Sequence, residues 1–306
     1  MKMTDKPLVS VIVIAYQSSK FILETLESIK SQTWESVELI ISDDGSADQT
    51  VPICLRWLSE NKERFVSTTL LTVPHNTGIP ANCERGFQPA KGEWIKFIAA
   101  DDALLENCIE DNMAVVSQNE EVSFVISDLV EMDDKGQTIR TSPRNEGLIY
   151  FMQRQENKKQ QLKAYARWPA FLNTPTFFYK RGLLENPFKS DFELRIFEDT
   201  SAIFNIINRG AKIFYLRKPT VKYRIHTNAI SRNEKFNERR EKESYQIFKN
   251  LRREYLSPFN PIDLSVFYES WLRFKYKGVR GYKGITMLRK LSLFYWYLRF
   301  NGVKVE

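Results

Sequence analysis

Three pairs of adjacent carboxylates are placed where chemistry could use them: Asp43-Asp44, Asp101-Asp102 and Glu198-Asp199. Neighbouring carboxylates repel each other and are costly to desolvate unless a cation or a set of donors lies between them. Asp101-Asp102 follows the apolar run EWIKFIA, so a hard divalent ion bridging these residues to a diphosphate would remove that cost and activate the diphosphate as a leaving group. The same residues would equally cap a helix over LLENCIEDN. Asp43-Asp44 ends the run VELIIS and is followed by Gly45-Ser46. A carboxylate at such a strand end accepts an imide N–H of the kind uracil carries, or simply closes a tight turn that glycine permits. Glu198-Asp199 precedes an apolar helical segment; paired acids raise one another's pKa, which suits a general base, and they also complement a helix dipole. His226, one of two histidines, stands in YRIHTN with Arg224. A neutral imidazole completes a metal shell and a guanidinium clamps a diphosphate, while on a strand both residues would also be at home facing solvent. His75 reads as structural.

The elements that would carry these residues alternate. VSVIVIAY, from Val9 to Tyr16, is a continuous β-branched run of the kind a parallel strand buried on both faces requires. A helix over Phe21 to Gln32 follows, then a strand at Val37 to Ser42, a helix at Asp48 to Asn61 and a strand at Ser67 to Val73. After a loop and helix start at Asn76 to Gly86 come a strand at Glu93 to Ala99, a helix at Glu106 to Gln118 and a strand at Val122 to Val130. This order predicts right-handed βαβ units, a mostly parallel sheet and a site beyond the C-terminal strand ends. Gln137 to Lys163 reads as a polar loop or flap with a helix, and Phe171 to Tyr179 as a turn into a short strand. Thr200 to Arg209 reads as a helix closed by Gly210, and Ala211 to Leu216 and Thr220 to Ile225 as two strands. A charged helix from Glu234 to Tyr255, a break at Pro258 and Pro261, and an aromatic-basic stretch complete the chain.

The segments VSVIVIAYQSSKFILETLESIKSQTWESVELIISDDGSADQT, HNTGIPANCERGFQPAKGEWIKFIAADD, FEDTSAIFNIINRGAKIFYL and KYRIHTNAIS together resemble the family 2 inverting glycosyltransferases of the GT-A fold, over about residues 7 to 231. The resemblance implies a Rossmann-like α/β domain over residues 1–230 with a helical, basic and aromatic extension over 231–306. It implies a UDP-sugar donor and a Mn2+ or Mg2+ ion. The donor would be held by Ala15, Tyr16, Asp43, Asp44, Asn76, Arg85, Asp101 and Arg224, and the cation by Asp101, Asp102 and His226. Asp199, with Glu198 beside it, would be the catalytic base, and Trp168, Phe171 and Asn173 would line the acceptor pocket. Two positions depart from the family pattern: Ala99 stands where the first aspartate of Asp-x-Asp-Asp is expected, and Ile14 where many members carry Pro or Thr. The implied reaction passes a hexose or N-acetylhexosamine to a saccharide hydroxyl, on a polyprenyl-diphosphate-linked intermediate of bacterial surface polysaccharide. A non-catalytic nucleotide-sugar or membrane-surface binder on the same fold is the alternative. A dehydrogenase is excluded, because no GxGxxG follows the first strand.

Composition agrees with a folded enzyme. Of 306 residues, 42% are hydrophobic and 27% charged, a globular profile. The three cysteines form no CxxC, which disfavours a disulfide framework and suits a reducing compartment. The N-terminal apolar run is short and reads as a buried strand, so a cytoplasmic protein, peripheral on the inner face of the plasma membrane, is expected. The net charge is +7, yet Thr227 to Glu306 holds 17 Lys/Arg against 8 Asp/Glu. Interleaved with Trp and Tyr, that excess suits an anionic lipid surface, or packing on the catalytic domain or a partner. Nucleic acid fits poorly, since the acidic strand ends would repel phosphate.

Overall fold

A computed structural model describes residues 6–141, 146–167, 174–183, 198–226, 249–275 and 287–302. β1 (Val9–Ala15) lies inside a mixed sheet, between β2 (Val37–Asp43) and β4 (Trp94–Ala99), parallel to both, with β3 (Ser67–Thr72) parallel beyond β2. On the other side the sheet continues through β8 (Phe178–Lys180), β6 (Phe124–Met132) and β9 (Ile213–Arg224) to β5 (Ala103–Leu104). β6 and β9 are parallel, β8 and β5 antiparallel to their neighbours, and β7 (Thr138–Thr141) hangs off β6.

The β-branched run of β1 is explained by burial on both faces. Val9, Val11, Val13 and Ala15 pack with Leu26 of α1 (Ile22–Lys30), Trp57 of α2 (Thr50–Asn61) and Met113 of α4 (Cys108–Gln118). Ile12 points the other way, into a cluster with Phe87 of α3 (Ile79–Phe87), Phe151 of α5 (Glu146–Gln153), Leu162 of α6 (Lys158–Arg167) and Ile206 of α7 (Glu198–Asn208). Leu251, Val266 of α8 (Pro261–Lys275) and Leu298 of α9 (Leu293–Phe300) belong to this second cluster too. The described part of the C-terminal region therefore shares the core of the sheet, and the expected boundary near residue 230 lies outside the described residues.

Three expectations are corrected. Ala211 to Leu216 and Thr220 to Ile225 form one strand, β9: the pairing passes from Ser127↔Leu216 to Asp128↔Pro219, so Arg217 and Lys218 bulge out and the strand absorbs a proline without breaking. The segment Gln137 to Lys163 has the expected helical character but is less of a loop than expected: it holds β7, α5 and most of α6, with residues 142–145 outside the described residues. Asp101-Asp102 does not cap the next helix, because β5 intervenes and α4 starts only after Asn107. Gly210 does close α7: at φ +89° it donates to Ile207 and Ala211 donates to Ile206, the paired bonds of a left-handed C-cap.

The C-terminal helices are tied down by Asp263, fully buried on α8, which receives Arg167 at 2.6 Å and Lys163 at 3.0 Å from α6. Burial alone would raise its pKa, but the Ser257 N–H and the two cations outweigh it and hold the carboxyl below its usual range. A depressed folded-state pKa contributes stability above the unfolded value that is lost as pH falls through the folded one. Asp263→Asn should therefore lower unfolding stability by about 3 kcal/mol at neutral pH, and urea titrations should show that deficit shrinking as pH drops below about 4.

Candidate active site

The C-terminal ends of β1, β2, β4 and β9 meet at one edge, and the loops leaving them interlock. The backbone N–H groups of Gln17, Ser18 and Ser19, after β1, donate to Ser46 Oγ at 2.7 Å, Thr50 Oγ1 at 2.8 Å and Asp48 Oδ2 at 3.1 Å, all after β2. The Asp48 carboxyl, which burial would push up, is held below its usual pKa by hydrogen bonds from Thr50 and Ser19.

Asp43 and Asp44, adjacent in sequence, do different work. Asp43 is fully buried and spends its carboxylate on its own turn, accepting from Gly45 N at 3.1 Å, Ser46 N at 2.9 Å and Thr72 Oγ1 at 3.2 Å. Gly45 has φ +76°, and a Cβ there would lie 2.8 Å from the His75 backbone, so both conformation and space demand glycine. His75 thus contributes backbone packing, in keeping with a structural reading. The Asp44 carboxylate points toward the segment before α3, receiving Thr77 N at 3.0 Å, Gly78 N at 2.8 Å and Arg85 Nη2 at 2.9 Å, with the Thr77 hydroxyl on Oδ1. Asn76 Oδ1 accepts Gly78 N–H at 3.0 Å. The Ala15 carbonyl receives Asp44 N–H at 2.9 Å and Asn82 Nδ2 at 3.1 Å, and Tyr16, 42% exposed, projects at the mouth.

Asp101 and Asp102 divide in the same manner. Asp102 is buried; its Oδ1 accepts the Arg224 backbone N–H at 2.8 Å and its carbonyl accepts Thr25 Oγ1 at 2.6 Å. Burial, with the charge of Asp101 beside it, raises its pKa well above the carboxylate range. Asp101 is partly open, and its Oδ2 lies 3.0 Å from His226 Nε2. Oxygen and imidazole nitrogen, paired at an open strand end, form a donor set that a divalent cation accepts, with places left for diphosphate oxygens and water; the imidazole suits Mn2+ better than Mg2+, which takes oxygen ligands. Among the described residues no group of three or more His, Cys, Asp or Glu side chains converges on one point.

Arg224 is buried behind this pair. Its Nε donates to the Asp101 carbonyl at 2.8 Å, Nη1 to the Asp133 carbonyl at 2.8 Å and Nη2 to Glu24, while its plane stacks on Phe21 with Cζ 4.5 Å from the ring centroid. The Phe21 ring also touches His226, at 5.1 Å between centroids. Phe21, Glu24 and Thr25 were readable only as helix-face residues; their spacing of three and four shows one side of α1 but not what it faces. A clearer signal was Lys96, a lone cation inside EWIKFIA. It is fully buried, donates to the Pro175 carbonyl, and is pulled below its usual pKa by burial, which outweighs the upward pull of its acidic neighbours. Glu198 and Asp199 open α7, though their side chains lie outside the described residues, as do Trp168, Phe171 and Asn173 altogether. Arg224→Lys, which loses the fork, should lower unfolding stability by about 2 kcal/mol by orphaning buried carbonyls. Unchanged stability with weakened nucleotide binding would instead make Arg224 a phosphate clamp.

Residues 10–188 match the family described as Glycosyl transferase family 2. Curated relatives include a putative glycosyltransferase EpsH of Bacillus subtilis, 26% identical over 74% of this chain and 63% of its own length. Another is glycosyltransferase GlyG of Streptococcus pneumoniae, 27% identical over 74% of both chains. This chain thus spans under two thirds of EpsH. Among solved structures, S. aureus TarS in complex with UDP-GlcNAc covers 96% of this chain and 88% of its own, at TM-score 0.61 and 18% identity. A mannosyltransferase from Pyrobaculum calidifontis in complex with GDP-Man and Mn2+ covers 98% and 87%, at TM-score 0.57 and 18% identity. These likenesses bear out the expected GT-A fold. With more than half of the chain inside the family match, and Tyr16, Asp43-Asp44, Arg85 and Asp101-Asp102 all within it, the protein belongs to glycosyl transferase family 2.

Proposed function

We propose that the protein transfers a hexose or N-acetylhexosamine from a UDP-sugar to a saccharide hydroxyl with inversion, acting on a lipid-linked intermediate of O-antigen, capsule or exopolysaccharide synthesis. The observation that carries the donor half is a pair of carboxylates on one sheet edge, each set against a basic side chain: Asp44 beside Arg85, 2.9 Å apart, and Asp101 beside His226, 3.0 Å apart. A carboxylate next to a guanidinium is the complement of the uracil imide edge, whose N–H donates and whose carbonyl accepts. On this reading a docking base takes over the position that the Thr77 hydroxyl holds on Asp44, and Tyr16 lies against the ring. UDP and UDP-GlcNAc are named ligands of the TarS structures, which supports this donor class.

Asp101 and His226 would hold the cation, with Asp102 behind them keeping the turn in place. The ion, when bound, would neutralise charge on the departing diphosphate; Mn2+ is a named ligand of the mannosyltransferase structure. Asp199, with Glu198 at its side, would accept the acceptor hydroxyl's proton as that oxygen bonds the anomeric carbon and the bond to the diphosphate breaks on the opposite face. Trp168, Phe171 and Asn173 would receive the acceptor.

A panel of nucleotide sugars tested with Mn2+ or with EDTA should show metal-dependent UDP release from at least one UDP-sugar. Failure with every donor and acceptor would favour a binding protein on the same fold. Asp199→Asn should cut transfer by about 10³-fold while calorimetry shows UDP affinity unchanged; retained turnover would remove Asp199 from the role of base. Asp101→Asn and His226→Ala should each raise the Mn2+ concentration needed for half-maximal rate by about tenfold or more, whereas an unshifted requirement would place the ion elsewhere.

A further inference from the structure

α8 is built inside out for a helix at a protein surface. Its inward side carries the acids Asp263 and Glu269 together with Val266 and Leu272, all buried, while Leu264, Phe267 and Trp271 face outward at 56%, 41% and 50% exposure. Those three recur at i, i+3 and i+7, one above another on a single face. α9 repeats the arrangement, with Phe294, Tyr295 and Leu298 buried and Leu293, Trp296 and Phe300 exposed at the same spacing. Met287 and Leu291, 74% exposed each, lie on the segment entering α9, and Phe259, 94% exposed, just before α8. Exposed apolar stripes of this size need a partner that is not water.

The charges name the partner. Between Phe259 and Gly302 the sequence has eight Lys/Arg and only two acids, Asp263 and Glu269. Both acids are buried and bound: Asp263 to Lys163 and Arg167, Glu269 to Arg289 Nε at 3.3 Å and Ser292 Oγ at 2.6 Å. No carboxylate of this stretch is left to meet solvent, whereas Lys290 and Arg299 are exposed beside the aromatic stripe. Two copies of the face would bring like charges together, which disfavours self-association. Trp and Phe flanked by Lys and Arg instead match the boundary of headgroups and acyl chains. No helix among the described residues is long and apolar enough to cross a membrane, so the face would lie on the bilayer surface.

We propose that the outward faces of α8 and α9 dock the protein onto an anionic lipid bilayer, with Phe267, Trp271, Trp296 and Phe300 entering the headgroup region and Lys290 and Arg299 meeting lipid phosphates. None of these residues is among those of the donor site, and the proposal does not depend on the transfer reading.

The test is flotation of the full chain with vesicles of phosphatidylcholine alone or mixed with phosphatidylglycerol. Binding should require phosphatidylglycerol and fall as salt rises. The double variants Phe267→Ser/Trp271→Ser and Trp296→Ser/Phe300→Ser should each reduce the bound fraction more than about tenfold. Lys290→Glu/Arg299→Glu should do so as well on the anionic vesicles. All three should leave the UDP affinity unchanged and keep a cooperative unfolding transition, since none of the residues changed belongs to the donor site. Absence of flotation on anionic vesicles would overturn the proposal. So would lipid-free sedimentation showing a dimer that the aromatic substitutions dissolve, because the face would then belong to a second copy.

Discussion

Arg224 joins four chain segments that are far apart in sequence. Its side chain reaches the Asp101 carbonyl, the Asp133 carbonyl and Glu24, and its backbone N–H reaches the Asp102 carboxylate. A buried guanidinium is tolerable only when its donors are met, and here meeting them brings together the turn after β4, the end of β6, the first turn of α1 and the end of β9. The positions of Asp101 and His226 follow from that knot: Asp101 belongs to the turn Arg224 holds, and His226 leaves the strand two residues later, against the Phe21 ring on which Arg224 stacks. Such an arrangement limits how far the two side chains can drift apart, which in the proposed reading is the preorganisation a cation site needs.

The acidic edge works by dividing labour between neighbours. In each of the two aspartate pairs the members answer to different parts of the chain: Asp43 to its own turn and the buried Asp44 to the segment before α3, Asp102 to β9 and the partly open Asp101 to His226. Asp43 fastens its own turn and Asp102 caps the end of β9, so like charges that would otherwise repel are separated by what they accept. Burial and the neighbouring charge push the Asp102 carboxyl toward its neutral form, which lessens the repulsion Asp101 feels. In the proposed reading Asp44 and Asp101 take opposite ends of the nucleotide: base and diphosphate.

How far the sequence reveals this depends on where each constraint comes from. β1, β2 and β4 were legible because burial on both faces demands runs dominated by apolar residues, and Gly210 because a left-handed cap demands glycine. β9 was read as two strands because Arg217, Lys218 and Pro219 interrupt its pattern, while its continuity is set by pairing with β6. Which partners each aspartate takes was not legible either, since the deciding groups are remote: Thr77 and Arg85 for Asp44 are 33 and 41 residues on, and Glu24 lies 200 residues from Arg224. The aromatic-basic composition of the C-terminus was plain, but only the fold shows that α8 hides its acids and displays Phe267 and Trp271.

In the proposed reading Asp44 and Arg85 recognise the base, and the most direct measurement of that is calorimetric titration of UDP against CDP in the presence of Mn2+. Cytosine lacks the N3 proton and presents an amino group where uracil has a carbonyl, so both partners would face the wrong edge. UDP should bind at least about a hundredfold more tightly, because a site built for one hydrogen-bonding edge leaves its polar groups unpaired on the other. Equal affinities for the two nucleotides would contradict it.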